Sequence, residues 1–328
     1  MDSIIDTKDK RILYQLETNS RQPLAYLAKN VGLSREVVDY RVKLLEKKGI
    51  IESYLTTIDF VRLGLIFCRT FYRYNHVSSD IEQHMVEYAR KDPYVAWMAL
   101  GDGDMNLAIV YIVNNLNLLE KHYYDFLLSF GNYFKNNLFS IAFKIYHFKH
   151  TYLYHIEDRI PLIVGTNKDA IIIDETDYKL MLILMKDPRI NIIDLAKQLK
   201  LSTKTANNRM KSLIENKIIL GFRIKINTRK LNMEHHKVFL YLEDMTKEKL
   251  NMLISYLSHA KEIIFITLPM GNAHLEFEVI VEGKIQLFEF MRNLALNFPD
   301  LIREYESALI YSEPFTNYIP ILSNQKGI

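Results

Sequence analysis

The chain repeats itself, and that repeat limits its architecture more than any local signal does. Ile5-Asp6-x-x-Asp9 opens one segment and Ile173-Asp174-x-x-Asp177 opens another. A shift of 168 positions (Asp6 onto Asp174) keeps the two in step without a gap as far as Ile50-Ile51 and Ile218-Ile219. Shared residues include Leu16/Leu184, Arg21/Arg189, Leu27-Ala28-Lys29/Leu195-Ala196-Lys197, Leu33-Ser34/Leu201-Ser202, Arg41/Arg209, Lys43/Lys211 and Leu45/Leu213. About a third of the aligned positions are identical. The period is far too long for a solenoid repeat, so each copy must be a module of one or two domains.

Charge is informative in its distribution rather than its total. The net charge is +3, yet residues 169–230 hold 13 Lys and Arg against 7 Asp and Glu, while residues 231–328 hold 8 against 13. A local basic block next to an acidic one is the electrostatic footprint of a polyanion partner. The single cysteine, Cys68, excludes an intrachain disulfide and a Cys-based zinc site. No cofactor motif is visible. Neither a secretory leader nor an apolar run of membrane-spanning length is present in the sequence, which points to a cytoplasmic protein without a membrane partner.

Ile12, Leu13 and Leu16 recur at helical spacing behind Asp6, an N-cap residue. Pro23 begins a second short helix, and Ser34 caps a third that ends at Gly49. Ile50 to Asp59 reads as a β-hairpin wing. The second copy repeats this order at Tyr178–Met185, Ile192–Leu199, Ser202–Asn216 and Ile218–Asn227. Three helices followed by a wing describe a winged helix-turn-helix. What remains of each copy reads as βαββαβ, the ferredoxin-like arrangement. In the first copy its elements fall at Ile66–Tyr74, Asp80–Arg90, Val95–Leu100, Leu107–Val113, Leu116–Lys135 and Ile141–Tyr146. In the second, the strands are Val238–Glu243, Ile263–Leu268, Leu275–Val281 and Ser307–Tyr311. The fold class is α+β, in two copies. The expected domains are 1–60 (first winged helix), 61–156 (first ferredoxin-like domain), 157–170 (linker), 171–230 (second winged helix) and 231–328 (second ferredoxin-like domain).

The ordered set Asp6-x-x-Asp9-x-x-Ile12-Leu13-x-x-Leu16, Leu27-Ala28, Leu33-Ser34, Arg41-Val42-x-x-Leu45 and Gly49-Ile50-Ile51 resembles the Lrp/AsnC family of transcription regulators, here in tandem. The resemblance implies a DNA-binding winged helix joined to a ferredoxin-like domain that senses a small-molecule effector such as an amino acid and mediates oligomerisation. The turn Gly101-Asp102-Gly103-Asp104 looks like the family's turn between the second and third strands, and it is the candidate effector contact. The second copy departs from the pattern. Lys217 replaces Gly49, and Met270-Gly271-Asn272-Ala273 replaces the acidic turn.

A recognition helix turns one face to its own core and the other to base edges. At about 100° per residue, Val38, Val42 and Leu45 share a core face. The outer face then holds Glu36, Asp39, Tyr40 and Lys43, with two acids. The matching face of the second copy holds Lys204, Asn207, Asn208 and Lys211, with none. Lysine suits phosphate or guanine, and Asn reads adenine. Ser202 and Thr203 lie at the helix start, where backbone N–H groups favour phosphate, as do Ser34 and Arg35 in the first copy. Arg41 and Arg209 sit on the flanks, and the second wing adds Arg223 and Lys225, with Arg229 and Lys230 beyond. The second winged helix is therefore the expected stronger reader of double-stranded DNA.

Other residue groups carry less. His147, His150 and His155 cluster with tyrosines, but their spacing mixes strand faces and no carboxylate or Cys falls among them, so they read as a surface strand. His235-His236 reads as a loop. Asp6/Asp9 and Asp174/Asp177 read as capping residues rather than paired catalytic acids. The leading expectation is a sequence-specific transcription regulator and not an enzyme. The chain is expected to be a homo-oligomer, or to imitate a dimer within itself. Two alternatives remain: a tetrapyrrole (sirohaem-type) decarboxylase-like enzyme on the same fold, and a regulator partner that has lost DNA binding.

Overall fold

The computed structural model describes residues 4–154, 159–165 and 169–316. In chain order the first half contains α1 (Thr7–Thr18), α2 (Leu24–Val31), α3 (Arg35–Lys47), β1 (Ile51–Ile58), β2 (Ile66–Tyr74), α4 (Ser79–Lys91), β3 (Val95–Gly103), β4 (Leu107–Val113), α5 (Leu116–Phe130) and β5 (Phe134–His147). A short strand, β6 (Leu162–Val164), lies between the halves. The second half contains α6 (Glu175–Lys186), α7 (Ile192–Leu199), α8 (Thr203–Glu215), β7 (Ile219–Ile226), β8 (Glu234–Leu242), α9 (Lys247–His259), β9 (Ile263–Gly271), β10 (Leu275–Val281), α10 (Lys284–Asn297) and β11 (Ile302–Thr316). The 168-residue offset read from the helix-turn-helix segments carries through the rest: β2 maps onto β8, α4 onto α9, β3 onto β9 and β4 onto β10, residue for residue.

Each helical head is built from its caps and its apolar stripe. Asp6 accepts from the Asp9 backbone N–H at 2.8 Å, and Asp9 accepts in return from the Asp6 N–H at 3.3 Å. This capping box is worth on the order of 1 kcal/mol. Asp174 caps α6 with a single bond, accepting from Asp177 N–H at 2.8 Å. Ile12, Leu13, Leu16, Leu27, Val38, Val42 and Leu45 are buried as one cluster. Lys217 adopts φ +58°, the left-handed conformation that Gly49 adopts at +65°. The second copy therefore keeps the turn without its glycine, at a cost of roughly 1 kcal/mol.

The wings differ from the expected hairpins. Each copy supplies a single strand, and β1 pairs antiparallel with β7, Tyr54 opposite Ile224. The wing strands also cross over in their packing. Ile224 and Ile226 complete the core of the first head, while Ile58 and Phe60 join the core containing Leu180, Met181 and Leu184 of the second. The Thr56 hydroxyl donates to the Leu184 carbonyl at 2.6 Å, and Ser20 N–H donates to the Phe222 carbonyl at 2.8 Å. The two heads are thus bound into one unit.

Each ferredoxin-like half has the expected strands, but the fourth of each is longer than its pattern suggested. β5 and β11 extend because they pair twice. β5 pairs with β2 of its own half and β9 of the other, and β11 pairs with β8 of its own half and β3 of the other. The ring β2-β4-β3-β11-β8-β10-β9-β5 closes back on β2, with β6 appended to β5. A closed barrel leaves no free sheet edge. Helix α5 stops at Phe130, short of the expected Lys135, because Phe134 already begins β5. The expected linker lies in part outside the described residues, while Leu162–Val164 forms β6.

Candidate nucleic-acid interface

Helix α8 stands at the surface. Lys204, Asn208 and Lys211 are exposed, Asn207 is half-buried, and Ala206 and Leu213 face the core. Ser202 and Thr203 are exposed at its start, where the Ser202 hydroxyl accepts from Thr205 N–H at 3.1 Å. Among the described residues neither Lys204 nor Lys211 forms an ion pair. In α3, Ser34, Arg35, Tyr40 and Lys43 are exposed as well, with Tyr40 at 67 %. Lys43, however, is tied to Asp39 at 2.6 Å. The equivalent of Asp39 in the second copy is Asn207, so Lys211 keeps its charge free for a partner.

Arg41 and Arg209 are engaged elsewhere. Arg41 bridges Asp6 and Asp9, both at 2.8 Å, and Arg209 bridges Asp174 at 2.7 Å and Asp177 at 2.8 Å. Each arginine fastens a recognition helix to the capped start of its first helix. Hydrogen bonding to the Asp9 and Asp177 backbone N–H groups, with help from these arginines, holds the Asp6 and Asp174 carboxyls below their usual range. These residues position the helix; their guanidinium groups do not point freely to solvent.

The basic wing needs correcting. Arg223 is 7 % exposed; it pairs with Glu17 and donates to the Phe148 carbonyl at 2.7 Å. Lys225 bridges Glu52 at 3.2 Å and Glu313 at 3.1 Å. Both point into the molecule because alternate residues of β7 face the barrel, and neither is placed to meet DNA. Arg229 donates to the Tyr311 carbonyl at 2.8 Å, and Lys230 to the Lys48 carbonyl at 2.5 Å.

What they point into is a cavity of about 220 Å³ between the β1–β7 pair and the barrel interior. Its wall brings together residues of β5, β7 and β8 that lie far apart in the sequence. His147 lies on β5 and His150 just beyond it, both facing this cavity; burial pushes their imidazoles down to about 4 and about 3. His155 falls outside the described residues. His235 and His236 belong to β8, not a loop, and His235 pairs with Glu278 at 2.9 Å. Beneath them Arg69 reaches Glu276 at 2.5 Å, and Lys237 reaches Glu276 at 2.8 Å and Glu278 at 3.4 Å. Burial alone would raise the Glu278 carboxyl; Lys237 and His235 outweigh it and hold the group at about 2. Trp97 closes one side, its indole N–H donating to Glu313 at 2.7 Å. Among the described residues no group of three or more His, Cys, Asp or Glu is arranged to hold a metal ion.

The Gly101–Asp104 turn lies at the seam between the halves. Gly103 pairs with Ala308, at φ +108°, and a Cβ there would meet the Ser307 carbonyl oxygen at 2.6 Å. Asp104 accepts from Ser307 N–H at 3.1 Å and pairs with Arg73 at 3.4 Å. The opposite seam repeats the arrangement: a Cβ on Gly271 would meet the Phe139 carbonyl oxygen at 2.6 Å. The second-copy glycine therefore has the same seam duty as Gly103.

A family model for winged helix-turn-helix DNA-binding domains matches residues 5–52 and 173–219. The chain is 42 % identical over 66 residues to a proline dehydrogenase transcriptional activator of Rhodobacter capsulatus, spanning 20 % of this chain and 43 % of that protein. It is 30 % identical over 112 residues to an uncharacterized HTH-type transcriptional regulator of Pyrococcus horikoshii, spanning 33 % of this chain and 75 % of the relative. Among solved structures, the siroheme decarboxylase NirDL superposes over 96 % of this chain and 94 % of its own, with a TM-score of 0.62 and 13 % identity. That likeness is one of fold, and it overturns the expectation that the chain is not an enzyme: the same whole-chain architecture serves a decarboxylase. Among the described residues no helix is long and apolar enough to cross a membrane. A third relative, the HTH-type transcriptional regulator LrpA of Pyrococcus horikoshii, is 46 % identical over 61 residues, spanning 19 % of this chain and 43 % of that protein. With the paired helix-turn-helix matches and the longer Pyrococcus alignment, the chain belongs to the Lrp/AsnC family of DNA-binding transcription regulators, in tandem duplication.

Proposed function

We propose that one chain acts as a complete, paired DNA-binding unit that reads double-stranded DNA chiefly through α8. The observation that carries this reading is the exposed, acid-free face of Lys204, Asn208 and Lys211, set against the Lys43–Asp39 pair of α3. Lys204 and Lys211 serve as phosphate or guanine contacts, Asn207 and Asn208 as adenine readers, and Ser202 and Thr203 present backbone N–H groups to a phosphate. Ser34, Arg35, Tyr40 and Lys43 give the first head a weaker contact. Arg41 and Arg209 hold the two helices at their working angles. The swapped wings and the closed barrel replace the subunit contact that two separate chains would make, so the spacing of the two heads is set within the molecule.

The second ferredoxin-like domain holds 13 Asp and Glu against 8 Lys and Arg, which favours presenting the heads, and not the barrel, to DNA. Because Gly101–Asp104 is occupied at the seam, an effector is better sought in the central cavity. The test is a fluorescence-anisotropy titration of duplex DNA at a series of salt concentrations. Lysine and backbone contacts to phosphate give an affinity that falls steeply with salt. A flat response, or equal affinity for an uncharged polymer control, contradicts the reading.

A further inference from the structure

The duplication makes the cavity's chemistry conspicuous, because equivalent positions have diverged there. At the 168-residue offset, Phe67 matches His235, Val110 matches Glu278, Leu55 matches Arg223 and Ile145 matches Glu313. In each pair the first copy keeps an apolar residue and the second carries an ionisable one. All eight line the same cavity. Buried charge costs folding free energy unless it is paired, and an apolar replacement of like volume is often the more stable choice. All four are paired here, His235 with Glu278, Glu278 with Lys237, Arg223 with Glu17 and Glu313 with Lys225, yet each is an ionisable side chain in a partly open cavity where its counterpart is apolar. Ionisable groups concentrated in a cavity, where the duplicate positions are apolar, mark a ligand site.

We propose that this cavity binds a small aromatic carboxylate. The aromatic half is the wall, which Phe67, Trp97 and Phe265 line. An enclosed volume of roughly 150 Å³ admits benzene, so the cavity of about 220 Å³ admits one ring and a carboxylate. The anionic half is Arg223. It is buried, it lines the cavity, and its Nε and Nη2 are taken by Glu17 and the Phe148 carbonyl. Its Nη1 has no hydrogen-bond partner among the described residues. A carboxylate supplies one.

The same inventory disfavours an ammonium. Glu17, Glu278 and Glu313 each already face a cation, Arg223, Lys237 and Lys225 in turn. Burial keeps His147 and His150 as neutral imidazoles, so neither supplies a counter-charge. An amino acid would bury its ammonium without a free counter-charge. A plain aromatic acid has no ammonium to bury, and its carboxylate meets the Nη1 donor of Arg223, whose charge is already shared with Glu17. Since β7 supplies both Arg223 and Lys225, the bound acid touches the wing sheet as well as the barrel. Its occupancy therefore bears on the heads, a step that rests on the DNA reading above, whereas binding itself does not.

The chain's single tryptophan, Trp97, lies in the cavity wall and reports occupancy directly. Benzoate and nicotinate are titrated into the full-length protein without DNA, beside benzamide, phenylalanine and iron uroporphyrin. The expected result is a saturable change in Trp97 emission with the two carboxylates, at least tenfold weaker with benzamide and with phenylalanine. Arg223→Gln weakens carboxylate binding at least tenfold. Because Arg223 is packed on Glu17, Val110→Phe, which fills the cavity from β4, is the second variant and abolishes the signal in a protein whose circular dichroism is unchanged. Absence of saturation by the carboxylates up to about 10 mM, equal binding of benzamide, or tight binding of iron uroporphyrin alone overturns the proposal. For the coupling step, saturating benzoate changes DNA affinity at least threefold; unchanged affinity in a chain that binds both overturns that step.

Discussion

Arg69 and Lys237 occupy equivalent positions in the two halves and converge on one carboxylate, Glu276, at 2.5 and 2.8 Å. Their neighbours Phe71 and Phe239 are equivalent too, and meet edge to face at 5.1 Å between ring centroids. The pseudo-two-fold axis of the molecule passes among these four side chains, and Glu276 breaks the symmetry, for its counterpart is Ala108.

Removing that carboxylate strands the buried Arg69 and leaves Lys237 only its longer pair with Glu278 at 3.4 Å. Glu276→Gln is expected to cost about 3–5 kcal/mol of stability, whereas replacing Arg69, Lys237 and Glu276 together by apolar residues of like volume restores stability to within about 2 kcal/mol of the parent. Urea unfolding at neutral pH checks both. Equal losses in the single and triple variants would show that the charges are not coupled.

The cavity imidazoles set a pH dependence. In the unfolded chain His147 and His150 titrate near pH 6.5; in the folded protein burial depresses them to about 4 and about 3. The unfolded state therefore binds more protons across that interval, so stability rises with pH through it and is lost as pH falls from about 6.5 towards 4. His147→Phe, which installs the residue found at the equivalent Phe315, should remove on the order of 1–3 kcal/mol of that acid-side loss. Denaturant midpoints at pH 7 and pH 4.5 read it out.

The seams make a third expectation. Gly103→Ala forces a Cβ towards the Ser307 carbonyl, and Gly271→Ala towards the Phe139 carbonyl, each at 2.6 Å. Backbone cannot yield there without parting two strands. Each change is expected to destabilise the chain by roughly 1–3 kcal/mol. Gly131→Ala, at a position with open space around it, is the control and should leave the melting temperature nearly unchanged.

The duplication, the heads and the order of strands were legible in the sequence because each rests on local periodicity and caps. The wing pairing was not. A pattern such as Ile51-x-x-x-Leu55 marks a strand without naming its partner, and no turn residues between Ile51 and Ile58 signal a hairpin. The same limit hid Arg223 and Lys225: alternation along β7 separates two faces, and only β1 and the barrel beneath it decide which face is inside. His147 and His150 looked like surface residues because β5 ends near them and its extension against β9 is a long-range pairing. A signal was nevertheless available. Carrying the 168-residue offset beyond Ile219 sets Phe67 beside His235 and Val110 beside Glu278, and those mismatches mark the cavity.

The most direct test of the central claim compares the two heads in one assay. Lys204→Ala with Lys211→Ala, and separately Lys43→Ala, are titrated with duplex DNA over a range of salt. The account predicts that the α8 pair weakens binding strongly and lowers the salt slope by about 2, while Lys43→Ala, whose charge is shared with Asp39, changes it by well under 1. Undiminished binding by the α8 pair, or a larger loss from Lys43→Ala, would contradict it.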